Sequence, residues 1–376
     1  MASSKKKIGW SSNIWAVASA AALISCLFIS HYQGVGPHLY SLMSLLPDII
    51  WQILFYVCLV VAVLLILKHA NIKALNTDLF DNLEKILKIF AFVMFAITFT
   101  DRILLDIVSS AAEAVSASTH RDLDFLAKMV YLVIRSSKSY IRGIAHTIEL
   151  AIIGTVVGFI LALLMVFLRI QNPTERDSEI VQVLKMIGSG FTRIYVTIIR
   201  GTPMMVQGLI IYQAGFSIAK ALFPTYTITQ INGIYSVFLA SAITVSLNTC
   251  AYILEILRGA VEAIDKGQSE AARSLGLSAW QTMMNVVFPQ AVKNSIPAIC
   301  NEFIINIKDT SVLNVIGMFE LMFATTTIAG TYYVYLETYM NTAIIYLVLT
   351  IGLQALMNVI AKKLDMPVQH GVPSSN

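Results

Sequence analysis

Lys308 and Asp309 stand side by side inside an otherwise apolar stretch, Ala298–Thr326. A charge held at mid-depth in a bilayer costs at least ~2.5 kcal/mol, so two adjacent charges need a reason. Neighbours on a helix point about 100° apart and pair poorly with each other. Asp309, Thr310 and Ser311 are each good N-cap residues, which predicts a broken helix whose second half begins near Thr310. A half-helix N-terminus inside a membrane can face an anionic group such as a carboxylate. Glu302 and Asn306, just upstream, are secondary candidates for the same pathway. The alternative is a break near an interface, with the charges merely structural. Asn248 falls near the middle of another apolar run, where it either bonds a neighbouring helix or lines a pathway. Glu255 and Arg258, three apart, share a helix face and can pair at the membrane boundary.

No other cluster has catalytic spacing. The six histidines are scattered, and His146 reads as a packing residue. No GxxxxGK[ST] phosphate loop is present, so the chain has no ATP site of its own. Cys26, Cys58, Cys250 and Cys300 form no CxxC and read as reduced packing residues. We expect no catalytic residue, no metal and no bound cofactor.

A polar island, Gly267–Pro289, lies between apolar runs. Gly267 is expected to end the preceding helix. Ser269 can cap a short helix over Glu270–Leu275, and Glu270 in its first turn suits the helix dipole. Gly276 sits where a left-handed residue closes a helix. Ser278 and Gln281 form an S-x-x-Q capping box that starts a second helix running to Pro289. Ala271 and Ala272 leave a notch into which another protein's side chains can enter. Further upstream, Thr202-Pro203 reads as an N-cap followed by proline at the first helical position. Arg200 can snorkel to headgroups there.

The elements that must hold these residues are membrane helices. Hydrophobic residues are 57% of the 376, charged residues 13%, and mean hydropathy is +0.74. A soluble domain carries roughly 25% charged residues. At about 20 residues per crossing, about eight spans are expected. They are Asn13–Ser30, Ile49–Leu67, Ile86–Val108, Ile144–Leu168, Met204–Phe223, Tyr235–Leu257, one within Ala298–Thr326, and Thr338–Ala361. The first reads as a retained helix rather than a signal peptide, since no A-x-A-like site follows it.

Lysine and arginine placement orients the chain. Lys5–Lys7, Lys68, Lys73, Lys85, Lys88, Arg169, Arg176, Lys185, Arg193, Arg258, Lys266, Arg273, Lys362 and Lys363 all fall on one side, predicting both termini in the cytoplasm. The loops Tyr32–Asp48, Pro224–Ile234 and Ala329–Glu337 carry none. Ser109–Arg142 runs against the rule, with Arg121, Lys128, Arg135, Lys138 and Arg142 on the outer side. The expected organisation is a three-helix extension over 1–108 and a linker over 109–139, a candidate amphipathic helix on the outer face. A five-span unit follows over 140–363 with the cytoplasmic loop at 258–289, and then a disordered tail over 364–376.

The island GQSEAARSLGLSAWQTMMNVVFPQA resembles the "EAA" loop of permease subunits of ATP-binding-cassette importers. Asn248–Gly259 (NTCAYILEILRG), Arg200-Gly201-Thr202-Pro203 with Met204–Gln207, Lys308–Val312 (KDTSV) and His146–Leu150 (HTIEL) narrow the likeness to the polar amino acid group. Val287-Phe288-Pro289 stands where that group usually has Ile/Leu-Pro. The resemblance covers about Arg142–Lys363. It implies an all-α integral membrane fold, a type I importer five-helix core, with three further helices outside it. It further implies docking of two ATPase subunits on Glu270, Ala271, Ala272, Gly276 and Leu277, with ATP and Mg2+ held by those partners. A second permease, the same chain or a homologue, and an extracytoplasmic substrate-binding protein complete the complex in a bacterial inner membrane, surrounded by lipid. The substrate would be a polar amino acid, with no nucleic acid involved. The alternatives from the residues alone are an ion-coupled transporter or channel using Lys308, Asp309 and Glu302, and a non-transporting membrane anchor.

Overall fold

The computed structural model describes residues 10–31, 48–69, 78–171, 173–174 and 177–363. Lys5–Lys7, Lys73, Arg176, most of the 32–48 loop and the 364–376 tail lie outside the described residues. So do the side chains of Lys68, Lys85, Lys362 and Lys363. Every regular element described is helical, as the composition requires. A bilayer supplies no partners for open backbone groups, and a helix satisfies them within itself.

The chain divides into two compact units, 1–135 and 136–376. In the first, α1 (Trp10–His31), α2 (Asp48–His69) and α3 (Asp78–Phe99) pack through small residues. Ala18 and Ala22 of α1 meet Val61, Ala62 and Leu65 of α2 and Ala91 of α3. Cys26 and Ile29 meet Trp51, Cys58 and Met94 one layer along. Thr98 Oγ1 donates to the Met94 carbonyl (2.8 Å) and reaches Ser25 Oγ at 3.5 Å.

The expected third span, Ile86–Val108, is interrupted. Its apolar stretch ends at Phe99, and Thr100–Leu105 forms a π turn. Asp101, Arg102 and Asp106 fall in and beside that turn, and their polarity ends the apolar run. The expected linker folds as two short helices, α4 (Asp106–Ser116) and α5 (Phe125–Arg135). Arg135 donates to the Ala117 carbonyl (3.0 Å) and stacks over the Tyr131 ring (5.4 Å). This cation, which runs against the expected charge rule, therefore has a local structural use.

The second unit is built on α6 (Ser137–Ile170) and α10 (Val237–Glu262). At 1.5 Å per residue, α6 is about 51 Å long, more than a ~30 Å bilayer core needs. Gly154 and Gly158 of α6 form a GxxxG pair against α10, a pattern that lets backbones approach closely. A Cβ on Gly158 would stand 3.0 Å from the Cys250 nitrogen and the Ser246 carbonyl oxygen. Around the crossing, Ala162 and Val166 pack against Cys250, Ala251, Leu254 and Leu257.

Five helical stretches are long and apolar enough to cross a membrane: Ile49–Ile66, Ser137–Ile170, Met204–Leu222, Ile228–Glu262 and Tyr335–Val359. Ala279–Ile316 with Leu321–Tyr332, bent by 54°, makes a sixth if it is counted as one span. The first and third of the eight expected spans show only the shorter apolar stretches Val17–Leu27 and Ile86–Phe99 among the described residues.

One helix was not expected: α7 (Glu179–Gly201). Its apolar residues Ile180, Leu184, Ile187, Phe191 and Ile194 are exposed and recur at helical spacing between charged ones. That gives an amphipathic helix rather than a span. Its approach is pinned by Asp177, which accepts from Lys185 Nζ (2.7 Å) and from the Thr174 amide (2.8 Å) and hydroxyl (2.9 Å). These donors hold its carboxyl at about 2, below the ordinary 3.8.

Two outcomes follow from this packing. Gly158→Leu should weaken the fold by about 1–3 kcal/mol, read as a lower Tm in detergent. Gly190→Leu, within α7 where a Cβ meets open space, should not lower Tm and should raise it slightly through better helix propensity. The lowered Asp177 pKa means its stabilisation is present above the ordinary 3.8 and is lost only as pH falls through about 2. Hydrogen exchange at pH 4 should therefore show the Thr174 amide protected in the wild type and unprotected in Asp177→Ala.

Candidate functional site

The buried polar residues of the second unit form a connected set between helices. Asn248 of α10 is buried and donates from Nδ2 to Gln207 Oε1 on α8 (Met204–Leu222) at 3.1 Å. Gln207 in turn donates from Nε2 to the Ile199 carbonyl (2.7 Å) and to the carbonyl and hydroxyl of Thr202 (both 2.9 Å). One amide thus ties α10 and α8 to the end of α7. Asn306 does the same elsewhere: Nδ2 donates to Thr155 on α6 (2.9 Å) and Oδ1 accepts from Thr249 on α10 (3.1 Å). Of the two uses open to Asn248, the structure shows the interhelical bond. Gln207 was missed because a lone glutamine in an apolar helix signals nothing until its partners are known.

The Arg200–Pro203 motif works differently from expectation. Pro203, with extended φ/ψ, is the N-cap of α8, and Met204 is the first helical residue. Thr202 closes α7 instead, and its hydroxyl donates back to the Ile198 carbonyl (2.9 Å). Thr202 cannot cap α8, because its side chain is bonded to the preceding helix. Arg200 lies over the Tyr252 ring of α10 at 4.9 Å. Glu302 is buried on α13 (Phe288–Asp309), with Asp309 and Arg200 the charges that act on it.

The helix break is displaced from its expected place. At Thr310 the helix tightens to a 3-10 turn, Thr310–Ile316, and continues in the same direction. Asp309 keeps helical φ/ψ and makes no side-chain cap. The chain turns at Gly317, which has φ +84°, a left-handed conformation that glycine adopts without steric cost. The next helix, α14 (Leu321–Tyr332), is capped by Glu320. Its carboxylate is fully buried and accepts from the Met322 and Phe323 amides (2.7 Å each) and from the Tyr346 hydroxyl (3.2 Å). The half-helix N-terminus is thus already occupied by the chain's own carboxylate. It is not the open anion site expected near Thr310. Lys308 and Asp309 are exposed, Ser311 is half-buried, and Thr310 is buried with its hydroxyl donating to the Ile307 carbonyl (3.0 Å).

At the other end of α10, Glu255 does pair with Arg258 (2.8 Å), and Arg169 of α6 joins it at 2.8 Å. Arg258 also reaches Glu262 at 2.6 Å. The carboxylate is thus clasped between two guanidinium groups and fastens the ends of α6 and α10 together.

The polar island is two short helices around a left-handed glycine, with one boundary moved. The first helix, α11, runs Lys266–Ser274, and its N-cap is Asp265, which accepts from the Gly267 amide (2.6 Å). Ser269 lies inside it, and Gly267 does not break the chain. Asp265 is the earlier capping residue and so starts the helix sooner. Gly276 has φ +90°; its amide donates to the Arg273 carbonyl (3.0 Å), and the Leu277 amide to Ala272 (3.3 Å). That is a Schellman closure. The Ser278–Gln281 capping box is complete and opens α12 (Ala279–Thr282). The helical path does not stop at Pro289. It passes through a π turn, Met283–Val287, into α13, where the proline sits in the first turn and needs no amide partner. Glu270, Ala271 and Gly276 are exposed, Leu277 is half-buried, and Ala272 is buried and faces inward. The open surface is completed by Leu275 (82% exposed) and Trp280 (57% exposed).

Comparison with known proteins bears on this arrangement. Residues 183–366 match the family described as "Binding-protein-dependent transport system inner membrane component". The glutamine transport system permease protein of Escherichia coli K12 is 32% identical over 226 residues, covering 60% of this chain and 93% of the relative. The arginine transport system permease protein of Bacillus subtilis 168 is 31% identical over 224 residues, covering 60% and 91%. A crystal structure of an amino acid ABC transporter with histidines superposes with a TM-score of 0.51 at 29% identity, covering 64% of this chain and 99% of that one. The chain belongs to the family of inner membrane components of binding-protein-dependent transport systems, the multi-pass permease subunits of ATP-binding-cassette importers.

Proposed function

We propose that this permease moves a polar amino acid into the cytoplasm, powered by two ATPase subunits docked on the surface formed by Glu270, Ala271, Gly276, Leu275 and Trp280. The observation that carries this reading is the exposed pair of capped helices at 266–282, which presents large apolar side chains beside a carboxylate to a partner. Interface cores of this kind are anchored by aromatic and apolar residues inside a polar rim. Both termini lie in the cytoplasm on this reading. A separate binding protein delivers substrate on the opposite side, and a second permease subunit, a copy or a homologue, completes the passage.

The passage runs beside Glu302, Lys308, Asp309, Thr310 and Ser311, with Asn248 and Asn306 holding its helices in place. Lys308 suits a substrate carboxylate, and Glu302 or Asp309 suits an ammonium group. The amino acid names carried by the relatives support this class, and these charges agree with it.

Uptake by liposomes containing the chain, a second permease subunit, the cognate ATPase and binding protein should require ATP. Glu270→Arg should abolish it while leaving the permease folded; uptake without nucleotide would overturn the reading. Asn306→Ala and Lys308→Ala separate the two kinds of polar residue. Asn306→Ala should lower stability by about 0.6–2 kcal/mol, the range for interhelical hydrogen bonds in membranes, seen as a fall in Tm. Lys308→Ala should leave Tm unchanged and raise the substrate KM for transport.

A further inference from the structure

The exposed loop is joined to the membrane helices by a run of aromatic rings. Trp280 lies on α12 with more than half its surface open. Its ring meets Phe167, in the last turns of α6, at 5.6 Å between centroids and 58° between planes. Phe167 meets Phe288, the first residue of α13, at 4.7 Å and 48°. Phe167 and Phe288 both pack against the buried cluster that includes Leu254 and Leu257 of α10. One side chain is thus both a large apolar feature of the loop surface and the end of a ladder into α6 and α13.

The backbone route between the same two points is interrupted. Between Trp280 and Phe288 the chain makes the π turn Met283–Val287, a departure from α geometry of the kind common at functional joints. Beside it, the Thr282 hydroxyl is buried, with no hydrogen-bond partner among the described residues.

We propose that Trp280 is a coupling residue: motion of a docked ATPase is transmitted through Trp280 to Phe167 and Phe288, and so to α6 and α13, with the π turn as the joint that yields. This rests on the reading that an ATPase docks on this loop. Phe167 is a positioning residue that touches neither the ATPase nor the substrate.

The test uses the complete transporter in liposomes, with the chain carrying Phe167→Leu or Phe167→Tyr. Four quantities are read: assembly with the ATPase, Tm, basal ATP hydrolysis, and amino acid taken up per ATP hydrolysed. Phe167→Leu should assemble and hydrolyse ATP as the wild type does and stay folded at the assay temperature, with Tm lowered only by the lost ring contacts. Its uptake per ATP should fall roughly two- to tenfold, the scale of an aromatic pair. Phe167→Tyr, which keeps the ring, should restore the ratio. An unchanged ratio in Phe167→Leu, or a loss of uptake that only follows lost assembly or unfolding at the assay temperature, overturns the proposal. Wild-type transporter without nucleotide-dependent uptake overturns the docking reading itself.

Discussion

The close crossing of α6 and α10 is the constraint on which the rest of the second unit depends. In lipid there is no hydrophobic gain from bringing two apolar helices together, so contact must come from packing and polar bonds. Gly154 and Gly158 let the backbones approach until a single added carbon would strike the Cys250 nitrogen. At that distance Asn306 of α13 can reach Thr155 on one helix and Thr249 on the other. At the far end, Arg169 and Glu255 close the same pair. Each polar bond is short because the glycines have already set the spacing.

From this frame the two functional regions take their places. Asn248 on α10 positions Gln207, which gathers the end of α7 and the start of α8 around Thr202. Glu320 fixes α14 by satisfying its open amides internally, so the bent span carries no unoccupied helix N-terminus at Thr310. The charges left facing outward from the bundle, Lys308 and Asp309, are those without such a structural duty. The loop at the end of α10 is held from behind by the aromatic contact of Trp280 with Phe167, which leaves its outer surface for a partner.

What could be read from the sequence was local. Gly276 and the Ser278–Gln281 box involve residues within a few positions of one another, and both appear as expected. The earlier start of the first loop helix has one cause: Asp265 competes with Ser269 for the cap, and pattern alone does not rank two good candidates. The break near Lys308 was misplaced because good capping residues at 309–311 outweighed Gly317, the only residue there able to turn the chain at positive φ without strain. Helix α7 escaped notice because Lys185, Arg193 and Arg200, on the face opposite its apolar stripe, interrupt the continuous apolar run that a span would show. Gln207 and Arg169 matter through partners many residues away, and no spacing announces them; Glu320 caps α14 locally but is not among the favoured N-cap residue types. The family resemblance, by contrast, rested on several ordered motifs, and comparison with relatives bears it out.

The central claim is that the polar island is where a soluble ATPase meets this permease. It is tested most directly by placing a photo-crosslinking amino acid at position 275 and, as a control, at the exposed position 226, in cells expressing the whole transporter. Illumination should join the ATPase to the chain from position 275 and not from 226. An adduct from 226 with none from 275 would contradict the account.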